Sequence, residues 1–231
     1  MKYKHLFFDL DHTLWDFDAN SRLTLHELYH SFELEQKGVD NFELFHKNYL
    51  VNNDKLWARY RNGFIKVDEL RWKRMWHALL EFKLADETLA KQLSTEFVEI
   101  LPSKKALFPY TKEILHYLKS KEYKLHLITN GFEQVQWRKL DNAQIGHFFS
   151  SVITSESACC LKPHKAIFDF AVGKAACCYE ESIMLGDNLD ADISGAMNAG
   201  MDTIFVNHIN EETKLRPTYT IYHLKELEEI L

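Results

Sequence analysis

Phe7-Phe8-Asp9-Leu10-Asp11-His12-Thr13-Leu14 closes an apolar run of strand formers with two carboxylates spaced two positions apart. Residues i and i+2 of a strand share a face. The chain must turn near His12, so Asp9 and Asp11 can converge on one point from slightly different directions. Two like charges 4 Å apart repel by about 4 kcal/mol at an effective dielectric of ~20. A cation, a shared proton or a nearby lysine is therefore implied at this strand tip. An Asp-x-Asp pair alone also fits a solvated turn, and signals further along the chain decide between the two.

Outward from this strand, which spans roughly Tyr3 to Leu10, glycine and proline nearly vanish. Only Gly38 and Gly63 interrupt the next segment before Pro102. Apolar residues recur there at helical spacing: Leu25, Leu28, Tyr29 and Phe32, then Phe42, Phe45 and Tyr49, then Leu70, Met75 and Leu79. The pattern predicts four helices, with Gly63 as a stop and Asp68 as a start. Trp57, Tyr60, Trp72 and Trp76 are read as the core of a small bundle, one or two of them being candidates to line a ligand cleft.

After Pro109 short apolar runs alternate with amphipathic stretches, as expected of a parallel sheet with crossover helices. Strands are predicted at Lys124 to Thr129, Val152 to Thr154, Ile183 to Leu185 and Thr203 to Val206, with Tyr219 to Ile221 a weaker candidate. Helices are predicted at Tyr110 to Lys121, Glu133 to Asn142, Lys165 to Ala176 and Asp190 to Ala199. A lone N-terminal strand cannot satisfy its backbone, so it must join this sheet. The fold class is therefore α/β: a Rossmann-like open parallel sheet with helices on both faces, built from residues 1–15 and 105–231. Residues 16–104 form an inserted four-helix cap.

The 231 residues are 46% hydrophobic, ample for sizeable cores. No run approaches the ~18 apolar residues of a membrane span. The N-terminus lacks a basic stretch followed by an apolar segment and a cleavage site, so a cytoplasmic location is expected. Formal net charge is −6 with no basic block, which argues against polymeric nucleic acid as a partner. Cys159-Cys160 and Cys177-Cys178 fit neither zinc-site spacing nor a spaced disulfide framework, and read as small buried hydrophobes.

Ligands of open parallel sheets bind outside the carboxyl ends of the strands. The first strand ends in Asp9 and Asp11, the second in Thr129-Asn130-Gly131, and the fourth in Gly186-Asp187-Asn188; Lys162-Pro163 precedes a helix, with Pro163 suited to its first turn. Singly, Thr129 fits a helix cap, Lys162 a loop lysine and Gly186-Asp187 an ordinary turn. In this order, each on a strand end of one sheet, they bring a hydroxyl, a lysine and three carboxylates to one patch.

Asp9-x-Asp11-x-Thr13, Thr129, Lys162 and Gly186-Asp187-x-x-x-x-Asp192 resemble the four motifs of the haloacid dehalogenase superfamily, subfamily I phosphatases. Asp11 to Phe17, Leu56-Trp57 with Tyr60-Arg61-Asn62-Gly63, and Ile128-Thr129-Asn130-Gly131-Phe132 further resemble the house-cleaning pyrimidine 5'-nucleotidases. The resemblance implies a Mg²⁺-dependent phosphomonoesterase acting through an aspartyl-phosphate. Asp9 would be the nucleophile and Asp11 the acid and base. Thr129 and Lys162, with the Asn130 and Gly131 amides, would hold the phosphoryl oxygens. The metal would take the Asp9 and Asp187 carboxylates and the Asp11 carbonyl, while Asp192 orients Lys162 or a metal-bound water. The dehalogenating branch lacks an aspartate at position 11, because halide leaves without a proton. Glycine often stands in the family where this chain has His12, which reads as a conformational residue.

The implied partner is a small phosphorylated metabolite, a pyrimidine nucleotide above all. Phosphoglycolate, a sugar phosphate or a phosphomutase outcome stay open, as does a catalytically silent binding module. A four-helix cap suits closure over small soluble substrates.

Overall fold

The computed structural model describes residues 2–231. Close contacts divide the described residues into two compact units, residues 2–17 with 105–231, and residues 18–104. The larger unit is built on a six-stranded sheet with β1 (His5–Phe8), β2 (Lys124–Thr129), β3 (Phe149–Thr154), β4 (Ser182–Gly186), β5 (Asp202–Val206) and β6 (Tyr219–Ile221). All neighbours are parallel, in the order β3-β2-β1-β4-β5-β6. The first strand, expected from Tyr3 to Leu10, is shorter than its apolar run. Leu10 is fully buried but accepts the amides of Leu14 and Trp15 in a turn, and so cannot continue the ladder.

Parallel strands are joined by α5 (Thr111–Ser120), α6 (Glu133–Ala143), the one-turn α7 (Ser155–Ala158), α8 (Lys165–Ala175) and α9 (Gly195–Ala199); α10 (Leu227–Ile230) ends the chain. Phe7, Ile128, Ile153 and Met184 of the sheet pack with Ile167, Phe168 and Ala171 of α8 and Ala196 of α9. The predicted helix at Asp190 to Ala199 is two elements, a π-helix over Leu189–Ser194 and then α9. Pro163 lies outside the first turn of α8, which is capped at His164 and begins at Lys165. Gly195 lets α9 meet Pro163, since a Cβ there would fall 2.8 Å from the Pro163 Cα.

The smaller unit contains α2 (Phe42–Arg61), α3 (Val67–Leu80), α4 (Glu87–Ile100) and all but the first residue of α1 (Phe17–Ser31). Asn41 and Asp86 accept the Leu44 and Leu89 amides, each at 2.9 Å, and so cap α2 and α4. Phe45, Tyr49, Leu56, Leu70, Met75, Leu79, Leu93 and Phe97 form the buried interior. Trp57, Tyr60, Trp72 and Trp76, read from sequence as core, are only half-buried. They flank the buried stripes as edge-to-face pairs, Trp57 on Tyr60 and Trp72 on Trp76, each with centroids 5.9 Å apart. Among the described residues no helix is long and apolar enough to cross a membrane.

One polar chain crosses the sheet. His5 Nδ1 and His126 Nε2 lie 3.0 Å apart, and His126 Nδ1 is 2.7 Å from Ser151 Oγ. Burial, then His5 and Lys124, push the His126 imidazole down to about 4. One ring nitrogen must accept from the other, so both rings cannot be charged at once, and burial disfavours the charge on either. A folded-state value below the unfolded ~6.5 means that this contribution to stability is lost as pH falls from about 6.5 through 4. NMR titration should therefore find the His126 ring midpoint near 4; a midpoint of 6 or above would contradict this account.

Candidate active site

Phe8 pairs with Leu127 on one side and Leu185 on the other, so Asp9 emerges level with the ends of β2 and β4. Its amide donates to the Leu185 carbonyl at 2.8 Å, which anchors the backbone while the carboxylate passes the sheet edge. Thr129 ends β2, and Asp187 follows Gly186 at the end of β4. Strand order reverses around β1, so these three residues lie at the switch point where open α/β sheets bind ligands.

Lys162, from the loop before α8, sets its ammonium among three oxygens here, two of them as hydrogen-bond acceptors and the third as an ion pair. It donates to Asp9 Oδ1 at 2.5 Å and to the Ile128 carbonyl at 2.7 Å, and meets Asp192 Oδ1 at 2.7 Å. Asn130 fixes its backbone: the Lys162 amide donates to Asn130 Oδ1 at 2.8 Å, and Asn130 Nδ2 donates to the Lys162 carbonyl at 2.9 Å. Asp192 is held by the Asn188 amide at 3.0 Å. Its approach depends on Gly186, where a Cβ would lie 2.3 Å from Asp192 Oδ2.

Thr13 Oγ1 donates to Asp187 Oδ1 at 2.9 Å. Asp9, Asp187 and Asp192 each offer an oxygen within 4.8 Å of the others. Burial pushes the Asp9 carboxyl up to about 8; Asp192 and Asp187 add to the rise, while Lys162 opposes it. Burial, then Asp192, push Asp187 up to about 8 as well. For Lys162 burial alone acts downward, yet Asp192 and Asp9 together hold the ammonium above its ordinary range. Three carboxylates against one lysine leave negative charge uncompensated. This all-oxygen donor set fits a hard divalent cation.

Asp11 forms a second cluster with α6. Lys139 Nζ donates to Asp11 Oδ1 at 2.6 Å and Oδ2 at 2.9 Å, and Gln136 Nε2 donates to Oδ2 at 3.0 Å. The other Gln136 amide hydrogen goes to Thr129 Oγ1 at 2.6 Å, which also accepts the Gly131 amide at 3.1 Å. Accepting twice, the Thr129 hydroxyl keeps its own proton to donate. Gly131 makes room for this, because a Cβ would fall 2.5 Å from the Gln136 amide.

Of the residues named from sequence, Asp9, Lys162, Asp187 and Asp192 converge directly, and Asp11 and Thr129 are bridged by Gln136. The Asn130 side chain serves the Lys162 backbone. His12 adopts φ 61°, the left-handed conformation that favours glycine, and its ring lies 5.1 Å from Phe17. Gln136 and Lys139 were not anticipated. They share a helical face with buried Leu140 and Ala143, whereas apolar Trp137 points outward, 42% exposed. Polar residues on a stripe that also carries Leu140 and Ala143 were the available signal.

Residues 6–206 match the haloacid dehalogenase-like hydrolase family, most of the chain. The chain belongs to this family. The hydrolase is 32% identical to the pyrimidine 5'-nucleotidase PynA of Streptococcus pneumoniae, covering 98% of this chain and 94% of that protein. It is 29% identical to the pyrimidine 5'-nucleotidase YjjG of Escherichia coli, over 100% and 99% of the two chains. Its fold superposes with a TM-score of 0.89 on the putative HAD-hydrolase YfnB of Bacillus subtilis, solved bound to magnesium. That pair is 27% identical, over 100% and 99% of the chains.

Because the folded-state values of Asp9 and Asp187 lie above their unfolded ~3.9, the folded protein binds more protons than the unfolded chain between those limits. Without divalent cation, the unfolding free energy is expected to fall as pH rises from 6.5 to about 8, and to level off above that. Urea titrations in a chelator test this; stability rising over that window would refute it. Lys162→Met, which leaves buried carboxylates unpaired, is expected to cost about 3 kcal/mol in the same assay at pH 8.

Proposed function

We propose that the hydrolase is a Mg²⁺-dependent phosphomonoesterase of small soluble phosphates, with pyrimidine nucleoside 5'-monophosphates as its substrates. The observation that carries the reading is the convergence of Asp9, Asp187 and Asp192 around Lys162, with a further carboxylate, Asp11, two residues beyond Asp9. A halide needs no proton to leave, whereas an alkoxide does, and Asp11 supplies one. The full-length similarity to two pyrimidine 5'-nucleotidases supports the choice of substrate.

Asp9 Oδ attacks phosphorus in line, forming an aspartyl-phosphate as the ester P–O bond breaks. Asp11 protonates the departing O5' and then takes a proton from the water that hydrolyses the acyl phosphate. A carboxylate approaching a phosphate dianion meets strong repulsion in a site sheltered from water. Lys162 offsets it: the ammonium that now bonds Asp9 can exchange that bond for a phosphoryl oxygen, while Asp192 and Ile128 keep it in place. The free Thr129 proton points to a second phosphoryl oxygen as its acceptor. Magnesium, held by the Asp9 and Asp187 carboxylates and the Asp11 carbonyl oxygen, would supply the remaining positive charge. Thr13 orients Asp187 for that task.

Phosphate release should be measured with and without Mg²⁺ on UMP, dUMP, dTMP, purine nucleotides, phosphoglycolate and hexose phosphates. Pyrimidine nucleotides are expected to turn over fastest, Asp9→Asn to abolish release, and Asp11→Asn to slow it by about 10² to 10⁴. Preference for phosphoglycolate or hexose phosphates would overturn the substrate and keep the mechanism. Turnover unaffected by Asp9→Asn would overturn the mechanism.

A further inference from the structure

We propose that Lys139, assisted by Gln136, is a positioning residue that holds the Asp11 carboxyl for proton transfer to the leaving group. The inference rests on the phosphomonoesterase reading and deepens it. One helix, α6, contributes three hydrogen bonds to one carboxylate: Lys139 to both oxygens, at 2.6 and 2.9 Å, and Gln136 to Oδ2 at 3.0 Å. With both oxygens engaged, Asp11 cannot swing freely about its side-chain bonds, although its side chain is 23% exposed.

Lys139 itself is 3% exposed. Its ammonium lies 4.3 Å from the centroid of the Trp15 ring and 5.8 Å from that of Phe17. Asp11 and Trp15 form an isolated bridge, so the turn that carries the carboxylate also carries the aromatic face beneath its partner. Burying such a pair is a poor way to gain stability, since an apolar pair of similar volume is often neutral or better. Its geometry is suited to holding a reacting group still.

Gln136 adds a second constraint. Its amide group donates to Asp11 with one hydrogen and to Thr129 with the other, tying the proton donor to the hydroxyl that faces the phosphoryl group. The amide orientation is set by chemistry, because the reverse would aim its carbonyl at a carboxylate. In the reaction, the Asp9–phosphorus bond forms, the ester P–O bond breaks, and the proton passes from Asp11 to the departing oxygen. Lys139 then partners the carboxylate that this transfer leaves behind.

The test is a leaving-group comparison on folded protein with Mg²⁺, read as kcat/KM, which reports steps up to formation of the phosphoenzyme. The probes are UMP, whose alkoxide needs a proton, and p-nitrophenyl phosphate, whose phenolate leaves without one. Lys139→Met is expected to lose tenfold or more in kcat/KM on UMP beyond its loss on p-nitrophenyl phosphate. Gln136→Met should shift the same ratio in the same direction, by a smaller factor, and decides the matter if Lys139→Met does not fold. Parallel losses on the two substrates in folded variants of an active wild type would overturn the role of Lys139 and leave the phosphatase reading standing. A wild type that releases phosphate from neither would overturn that reading and this inference together.

Discussion

The Lys162 ammonium, buried between Asp9 and Asp192 and bonded to the Ile128 carbonyl, is the interaction on which this end of the sheet depends. It joins the tip of β1, the end of β2 and the π-helix after β4 through one charged atom. Charges withdrawn from water must find partners or be neutralised. Here the partners come from segments far apart in sequence, so the cluster also records that the sheet has closed in the right order. Asn130, which clasps the Lys162 backbone from the position after β2, makes the lysine's backbone position independent of its flexible side chain.

The same cluster is electrically incomplete. One ammonium cannot neutralise Asp9, Asp187 and Asp192, and burial drives Asp9 and Asp187 up to about 8 as a result. A site in this condition favours whatever brings further positive charge to its oxygens, and phosphate-ester chemistry needs positive charge at the same place. Asp11, by contrast, is held apart with its own cation, Lys139, over an aromatic floor. Two carboxylates two residues apart thus belong to different electrostatic neighbourhoods, which is how neighbours in sequence can carry different tasks.

Close approach at two glycines makes both neighbourhoods possible. Gly186 admits the Asp192 carboxylate and Gly131 admits the Gln136 amide; a single methyl group at either would occupy the space of the polar group. These are packing requirements at strand ends rather than requirements for unusual backbone angles. His12 is the opposite case, a side-chain-bearing residue in the left-handed region of the turn between Asp11 and Thr13.

Much of this was legible in the amino-acid order alone. Strand-forming runs ending in Asp9, Thr129 and Gly186-Asp187 identified the sheet, its edge and most of the charged cluster, because a strand delivers its terminal residue to a place fixed by backbone pairing. The helices of the smaller unit followed from apolar spacing, yet its four prominent aromatics proved half-buried, since helical spacing does not say which side of a stripe faces a neighbour. Gln136 and Lys139 needed the tertiary structure for the same reason. Trp137, a large aromatic beside them in the chain, points outward, while the polar pair turns in toward Asp11 and Thr129. The sequence by itself determined which polar residues follow or close the strands at one end of the sheet; packing of α6 against the sheet decided which of its side chains reach them, because helix rotation is set by the contacts of a whole face and not by any one residue.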